Sequence, residues 1–292
     1  MVAQAPFTES LARSRDGVDV NVRVGGHGAR SPLLLVCPPS ASFDAFRHVA
    51  GYLGSGRRIA SWDTRGLYGS PPLAERDETR LSAHVADAER ALDAASFDSA
   101  AIVSWSLGAE VALELAFTRP ERVRSLVLLS PVLGDTFARS LGLPQSSALR
   151  RAAVALRRAA PTAARLRSRV GAWPETEAWM RRLGLAADTL DTEVWRSLGE
   201  HLRDSDVASY VRSMHSLEHA PASGRLTDVT APALVVVGDR DRYGSIVSAR
   251  RLVRELPLGE LFVVKEGTHY AHLEFPELVN LRVEKFLDGR AR

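Results

Sequence analysis

Cysteine is almost absent from this chain. Cys37 is the only one among 292 residues, so no internal disulfide can form and no metal site built on several thiolates is possible. Lysine is nearly missing too: Lys265 and Lys285 stand alone, and arginine supplies the rest of the positive charge. The net charge of +3 is small, so there is no strong basic field to hold nucleic acid. No apolar run approaches the length of a membrane span. The opening stretch, Met-Val-Ala-Gln-Ala-Pro-Phe-Thr-Glu-Ser, has neither the basic region nor the apolar region of a secretory signal. These absences lead us to expect a cytoplasmic protein with no nucleic-acid partner, no membrane partner, no metal and no cofactor.

What is present is an ordinary globular composition. Hydrophobic residues make up 45% and charged residues 25%, enough for a sizeable core in one large α/β domain or two smaller ones. Two alternating segments near 7–14 and 17–24, joined at Arg15-Asp16-Gly17, predict an antiparallel hairpin. Apolar runs then alternate with helical patterns. Strands are expected at 33–37, 57–62, 100–105 and 125–130, and helices at 43–53, 79–95 and 107–118. Such alternation implies a mainly parallel sheet of about eight strands with helices on both faces. From about residue 132 to 228 the pattern is helical, broken at Pro144, Pro161, Pro174 and Pro221. Strands resume at 233–238 and 261–265. A final helix starts near Pro276, buries Val279, Val283, Phe286 and Leu287, and ends at Gly289. The expected organisation is a core of residues 1–131 and 229–292, with 132–228 inserted after the sixth strand.

The segment Ala100-Ala-Ile-Val-Ser-Trp-Ser106-Leu-Gly-Ala-Glu carries the sharpest chemical signal. An apolar run stops at Ser106, a helical pattern starts directly after it, and Ser104 and Gly108 flank it as small residues. A strand that turns sharply into a helix brings the backbone on either side of the serine together, so large side chains would clash. The turn leaves the hydroxyl at a helix N-terminus, where free N–H groups can stabilise an oxyanion. A plain serine cap on a βα unit would share this pattern.

Two further candidates follow later strands. Gly238-Asp-Arg-Asp241 comes after the run at 233–238, at the sheet edge where α/β proteins bind ligands. Asp239 and Asp241 both qualify. Glu266-Gly-Thr-His269-Tyr-Ala-His272-Leu-Glu-Phe-Pro276 follows the next strand and offers two histidines. Serine, then aspartate, then histidine, each after a strand, is the chain order of one triad type.

At this point nearly the whole chain resembles an α/β-hydrolase fold protein. Beyond the elbow, Arg119-Pro-Glu-Arg-Val123 with Ser125-Leu-Val-Leu-Leu-Ser-Pro131 is highly similar to that family, and Asp63-Thr-Arg-Gly66 resembles its turn after the fourth strand. The resemblance implies Asp241 as the acid, from the Gly-x-x-Asp pattern. It implies His269 as the base, from the spacing to Glu274-Phe-Pro276. It also places a helical cap at 132–228. The activity implied is ester or thioester hydrolysis through an acyl-enzyme on Ser106, with an imidazole exchanging the proton and Asp241 fixing its tautomer.

Two departures stand out. The family's second oxyanion donor comes from the loop after the third strand, which here reads Cys37-Pro38-Pro39-Ser40. Proline has no N–H. Leu107 can supply one donor, and Ser40 must then supply the other by its N–H or hydroxyl. Tyr68 occupies a place where the family often has glycine. With Pro39, Trp105 and Tyr270 it is a candidate pocket residue. These departures keep acyl transfer and non-hydrolytic chemistry, such as that of lyases, cyclases and perhydrolases, open as alternatives.

One charge feature remains. Residues 136–170 hold eight arginines (139, 150, 151, 157, 158, 165, 167 and 169) and no acid. They suit either a solvated basic face or a dock for an anionic acyl carrier, coenzyme A or an acyl carrier protein. Phe137, Trp173, Trp179 and Trp195 are aromatic candidates for an acyl pocket or for the core of the insertion itself.

Overall fold

The computed structural model describes residues 7–134, 175–218 and 225–289. The arginine-rich segment 136–170, Phe137, Trp173 and the prolines at 144, 161, 174 and 221 lie outside the described residues. The hairpin pairs β1 (Thr8–Arg13) with β2 (Asp19–Gly26) in antiparallel register, and Gly17 makes its turn at φ +86°. The sheet continues with β3 (Arg30–Val36), β4 (Arg57–Trp62), β5 (Ala100–Trp105), β6 (Val123–Leu129), β7 (Ala233–Gly238) and β8 (Gly259–Val264). Its eight strands run in the order β1-β2-β4-β3-β5-β6-β7-β8. All pairs from β4 onward are parallel. This is the mostly parallel sheet of the expected α/β-hydrolase fold.

The inner strands read as unbroken apolar runs because both faces of the sheet are covered. Successive side chains point to opposite faces, and each run divides accordingly. Leu34, Val36, Ile102, Leu126, Leu128, Val235 and Val237 pack against α2 (Leu81–Ala94), α3 (Gly108–Thr118) and α7 (Ile246–Glu255). Leu33, Leu35, Ala101, Val103, Val127, Leu129, Leu234 and Val236 pack on the other side against α1 (Arg47–Leu53), the short α8 (Ala271–Glu274) and α9 (Pro276–Gly289). The buried face of α9 is the expected set of Val279, Val283, Phe286 and Leu287. Fully burying one such aliphatic side chain stabilises the fold by about 1.5–3 kcal/mol.

Two expectations shift in detail. The helix over 43–53 is a 3-10 turn, Phe43–Phe46, running into α1. Helix α7 has no counterpart in the expected pattern. Among the described residues no helix is long and apolar enough to cross a membrane.

Chain order and sheet order together place the site. From β3 the chain moves to β4 on one side, and β5 then returns to the other side of β3. Such a reversal opens a crevice outside the carboxyl ends of the strands. Here the crevice is bounded by the loop after β3, residues 37–42, and by the elbow after β5.

Between β6 and β7 the described residues form α4 (Glu175–Arg182), α5 (Thr192–Asp204), α6 (Val207–Glu218) and a 3-10 turn, with no strand. This helical segment is tied by polar contacts to loops at the carboxyl edge. Asp191 caps α5 by accepting from the Glu193 and Val194 N–H groups, and its other oxygen meets His48 Nε2 at 2.8 Å. Ser197 donates to Asp44, and His201 Nδ1 lies 2.9 Å from Ser42 Oγ. Val194 and Leu198, one turn apart on the same helix, join the core on the α1 and α9 side.

Candidate active site

Ser106 follows directly on β5 and adopts φ +53°. That left-handed conformation costs a non-glycine residue about 1–3 kcal/mol, so the surroundings must hold it. They do so with three backbone bonds. The Ser106 N–H donates to Leu129 O at 3.0 Å, and the Ser106 carbonyl accepts from Ala109 N at 3.1 Å and Val132 N at 3.2 Å. The small neighbours are explained by contact. A Cβ on Gly108 would lie 2.5 Å from Val36 O, and Ser104 is fully buried beside β3.

His269 Nε2 lies 2.9 Å from Ser106 Oγ. On the other side of the ring, Nδ1 lies 3.1 and 3.2 Å from the two Asp241 carboxylate oxygens. Asp241 Oδ1 also accepts from Tyr243 N at 2.8 Å and Gly244 N at 2.9 Å. Burial raises the Asp241 pKa, but the adjoining His269 and these two N–H groups outweigh it and hold the carboxyl below its ordinary value. Asp241 therefore carries its charge where an imidazolium would need it.

The alternatives at each position sit elsewhere. Asp239 is exposed, and its N–H donates to Val264 O. His272 is buried between Trp105, at 4.9 Å between ring centroids, and Phe46, at 6.2 Å. Burial drives the His272 pKa down to about 3, so it stays neutral and cannot take up a proton near neutral pH.

The other candidate residues occupy distinct places. Trp105 is buried behind the histidine, donating from Nε1 to His269 O at 3.1 Å. Tyr270 is half-buried, edge-on to Trp195 of α5 at 5.3 Å. Trp179 is exposed. In the loop after β3, Pro38 and Pro39 are buried and Ser40 is half-buried. Ala41 N donates to Pro38 O at 3.0 Å and closes a turn. The Tyr68 hydroxyl donates to Pro39 O at 2.8 Å. Among the described residues neither the Leu107 N–H nor the Ser40 N–H donates to another group.

Some contacts escape any reading of motifs. Glu274 marks spacing in the sequence, but in the fold it is an anchor. Its oxygens accept from Thr268 N and from Ala187 N, each at 2.7 Å. It thus ties the residue before His269 to the helical segment. The Asp63 turn likewise gains a role. Asp63 accepts from Gly69 N and from Asn21 Nδ2, each at 3.0 Å, and pairs with Arg23. Arg65 is fully buried and bound to Asp87 and Asp16. The burial of Asp63 and Arg65 has no signal in the sequence beyond their place just past a strand.

Comparison with known proteins agrees with this architecture. The sequence model of the alpha/beta hydrolase family matches residues 25–282. A 2-hydroxy-6-oxononadienedioate/2-hydroxy-6-oxononatrienedioate hydrolase of Burkholderia vietnamiensis is 27% identical over 280 residues, covering 93% of this chain and 92% of that protein. The polyketide synthase ThaQ of Burkholderia thailandensis is 26% identical over 294 residues, 98% of this chain but only 13% of that much longer protein. Among solved structures, a thermophilic esterase from Thermogutta terrifontis has a TM-score of 0.75, covering 98% of this chain and 100% of its own at 17% identity. At that identity the likeness shows the fold alone.

Proposed function

The chain belongs to the alpha/beta hydrolase family, and on that premise we propose that it is a serine hydrolase cleaving an ester or thioester through an acyl-enzyme on Ser106. The observation that carries this reading is the continuous line from Ser106 Oγ through His269 to the charged Asp241. His269 Nε2 takes the hydroxyl proton as Oγ bonds to the carbonyl carbon. Asp241 fixes the tautomer with Nε2 free and stabilises the imidazolium. The oxyanion is held by the Leu107 N–H and a donor from Ser40. The imidazolium then protonates the leaving alcohol or thiol. Water, deprotonated by His269, adds to the acyl carbon, and release of the acid returns the proton to Ser106.

Residues 132–228 act as a cap in this reading. The contacts of α5 with Ser42, Asp44 and His48, and of Ala187 with Glu274, support it. The eight arginines of the cap would recognise an acyl group carried on coenzyme A or an acyl carrier protein. In that case kcat/KM for a coenzyme A thioester falls steeply with salt, while a small neutral ester is nearly unaffected. Equal salt responses would remove the carrier from the proposal.

A serine-directed fluorophosphonate tests the nucleophile. One adduct per chain, mapped to Ser106 and abolished in Ser106→Ala, is the expected result. Labelling at Ser104, with Ser106→Ala fully active, would overturn it. A second reading has one observation in its favour: the Burkholderia vietnamiensis relative is named for a 2-hydroxy-6-oxo dienedioate, a keto acid with no ester bond. The same three residues would then cut a carbon–carbon bond beside a ketone. Turnover of such a keto acid, with activated esters left intact, would decide for it.

A further inference from the structure

The two departures from the family pattern touch each other. Tyr68 stands where glycine is common, and Pro39 removes an N–H from the loop that should supply an oxyanion donor. The Tyr68 hydroxyl donates to the Pro39 carbonyl at 2.8 Å. We propose that Tyr68 is a positioning residue that aims the Ser40 N–H at the oxyanion and so replaces the donor lost to proline. The inference rests on the acyl-enzyme reading above.

One peptide plane links the two groups. The Pro39 carbonyl and the Ser40 N–H belong to the same rigid unit, and no peptide bond in the described chain is cis. In a trans peptide these two groups point in opposite directions. Fixing the carbonyl toward Tyr68 therefore fixes the N–H away from it. The Ala41 N–H to Pro38 carbonyl bond holds the same turn from the other side. A carbonyl that accepts a hydrogen bond also polarises its own N–H, which strengthens it as a donor.

Placement agrees. Val36, the last residue of β3, pairs in register with Ser104. The start of α3 packs so tightly there that a Gly108 Cβ would lie 3.4 Å from the Cys37 carbonyl carbon. The loop thus leaves the sheet directly beside the elbow. Ser40 N–H and Leu107 N–H are both without an acceptor among the described residues.

Tyr68 is built to stay put. It sits at φ +57°, a strained conformation for a tyrosine. The next residue, Gly69, is clamped by Asp63, and Ser70 Oγ donates to Asp63 O. His201 of α5 lies edge-on to the tyrosine ring at 6.5 Å and bonds Ser42. Burial pushes the phenol well above its ordinary pKa, so it remains a donor at any working pH.

The test uses a 4-nitrophenyl acyl ester and an alkyl trifluoromethyl ketone. In the ketone adduct Ser106 Oγ bonds to the carbonyl carbon, its proton passes to His269, and the carbonyl π pair becomes a hemiketal oxyanion. Tyr68→Phe removes only the tether. It is expected to lower kcat about 10–100-fold with KM little changed, and to weaken the ketone by a similar factor. The hemiketal oxyanion, followed by the 13C shift of its carbon, is expected to ionise at higher pH. Tyr68→Gly relieves the backbone strain while losing the tether, so the same losses in a protein of unreduced melting temperature separate positioning from folding. Unchanged kcat and ketone affinity in both variants, with the adduct still on Ser106, overturns the role of Tyr68 alone. No Ser106 adduct in the parent protein overturns the acyl-enzyme reading, and this inference with it.

Discussion

Two loops leave the carboxyl edge of the sheet on neighbouring strands, and they reach their shapes in different ways. The elbow at 104–108 is held by backbone alone: Ser106 keeps a positive φ because its N–H and carbonyl bond to Leu129, Ala109 and Val132. The loop at 37–42 is stiffened by two prolines and an Ala41 N–H to Pro38 turn, and side chains hold it further, Tyr68 on the Pro39 carbonyl and His201 on Ser42. The first needs small residues because backbone meets backbone. In the second, the hydroxyl of a side chain 29 residues away donates to the Pro39 carbonyl. In the proposed mechanism the elbow carries the nucleophile and one donor, and the loop carries the other donor. Damage to the two should therefore look different.

The largest effect is expected on the elbow side. Ser106→Ala and His269→Ala should each lower turnover by about 10⁴–10⁶-fold. His272→Ala should cost far less in turnover, since its ring is neutral and packed against Trp105. Steady-state kinetics of the three variants check this, and a reversed ranking of the histidines would move the base by one loop position.

The next pair separates the loops directly. Ser40→Pro removes an N–H and should lower kcat about 100–1000-fold, while Ser40→Ala keeps the N–H and most of the activity. Gly108→Ala instead drives a Cβ into the Val36 carbonyl, 2.5 Å away. It should lower stability by about 1–3 kcal/mol, seen in chemical denaturation, with activity falling alongside.

An effect confined to stability, and leaving the loops themselves untouched, depends on pH. Glu110 lies in the first turn of α3, buried, with Oε1 accepting from Gly134 N at 2.6 Å. Burial pushes its pKa up to about 8. The folded protein thus holds this proton more tightly than the unfolded chain, whose carboxyl titrates near its ordinary value. The associated stability is fully present below that ordinary value and is lost as pH rises toward about 8. Glu110→Gln keeps the acceptor for Gly134 and carries no charge. It should be more stable than the parent at pH 8, on the order of a few kcal/mol, with the gap closing near pH 4. Equal stabilities across that range would mean that the carboxyl is not held neutral.

Much of this architecture is legible in the amino-acid sequence. The inner strands and α9 announce themselves through period and apolar runs. Ser106 announces itself through its small neighbours at a strand-to-helix turn, while local position leaves Asp239 beside Asp241 and His272 beside His269, and the family resemblance makes the choice. What stays hidden is long-range or weakly patterned. Helix α7 is an exception: Ile246, Ala249, Leu252 and Val253 line its core face at helical spacing, and Ser245 caps it by accepting from Ser248 N, so its signal is present in the sequence although the expected pattern omits it. The Tyr68 to Pro39 bond and the Glu274 to Ala187 bond join residues with no sequence spacing in common. Tyr68 is visible as a departure from a pattern, but its partner becomes visible only when β3 and β4 lie side by side.

The most direct test of the central claim is rapid-quench mass spectrometry of the protein mixed with a short-chain acyl thioester. An acyl group on the Ser106 peptide is expected to appear before free acid accumulates and to decay at the rate of turnover. No adduct is expected in His269→Ala on the same timescale. Steady release of acid with no adduct at any time, or an adduct on a residue other than Ser106, would contradict the acyl-enzyme mechanism.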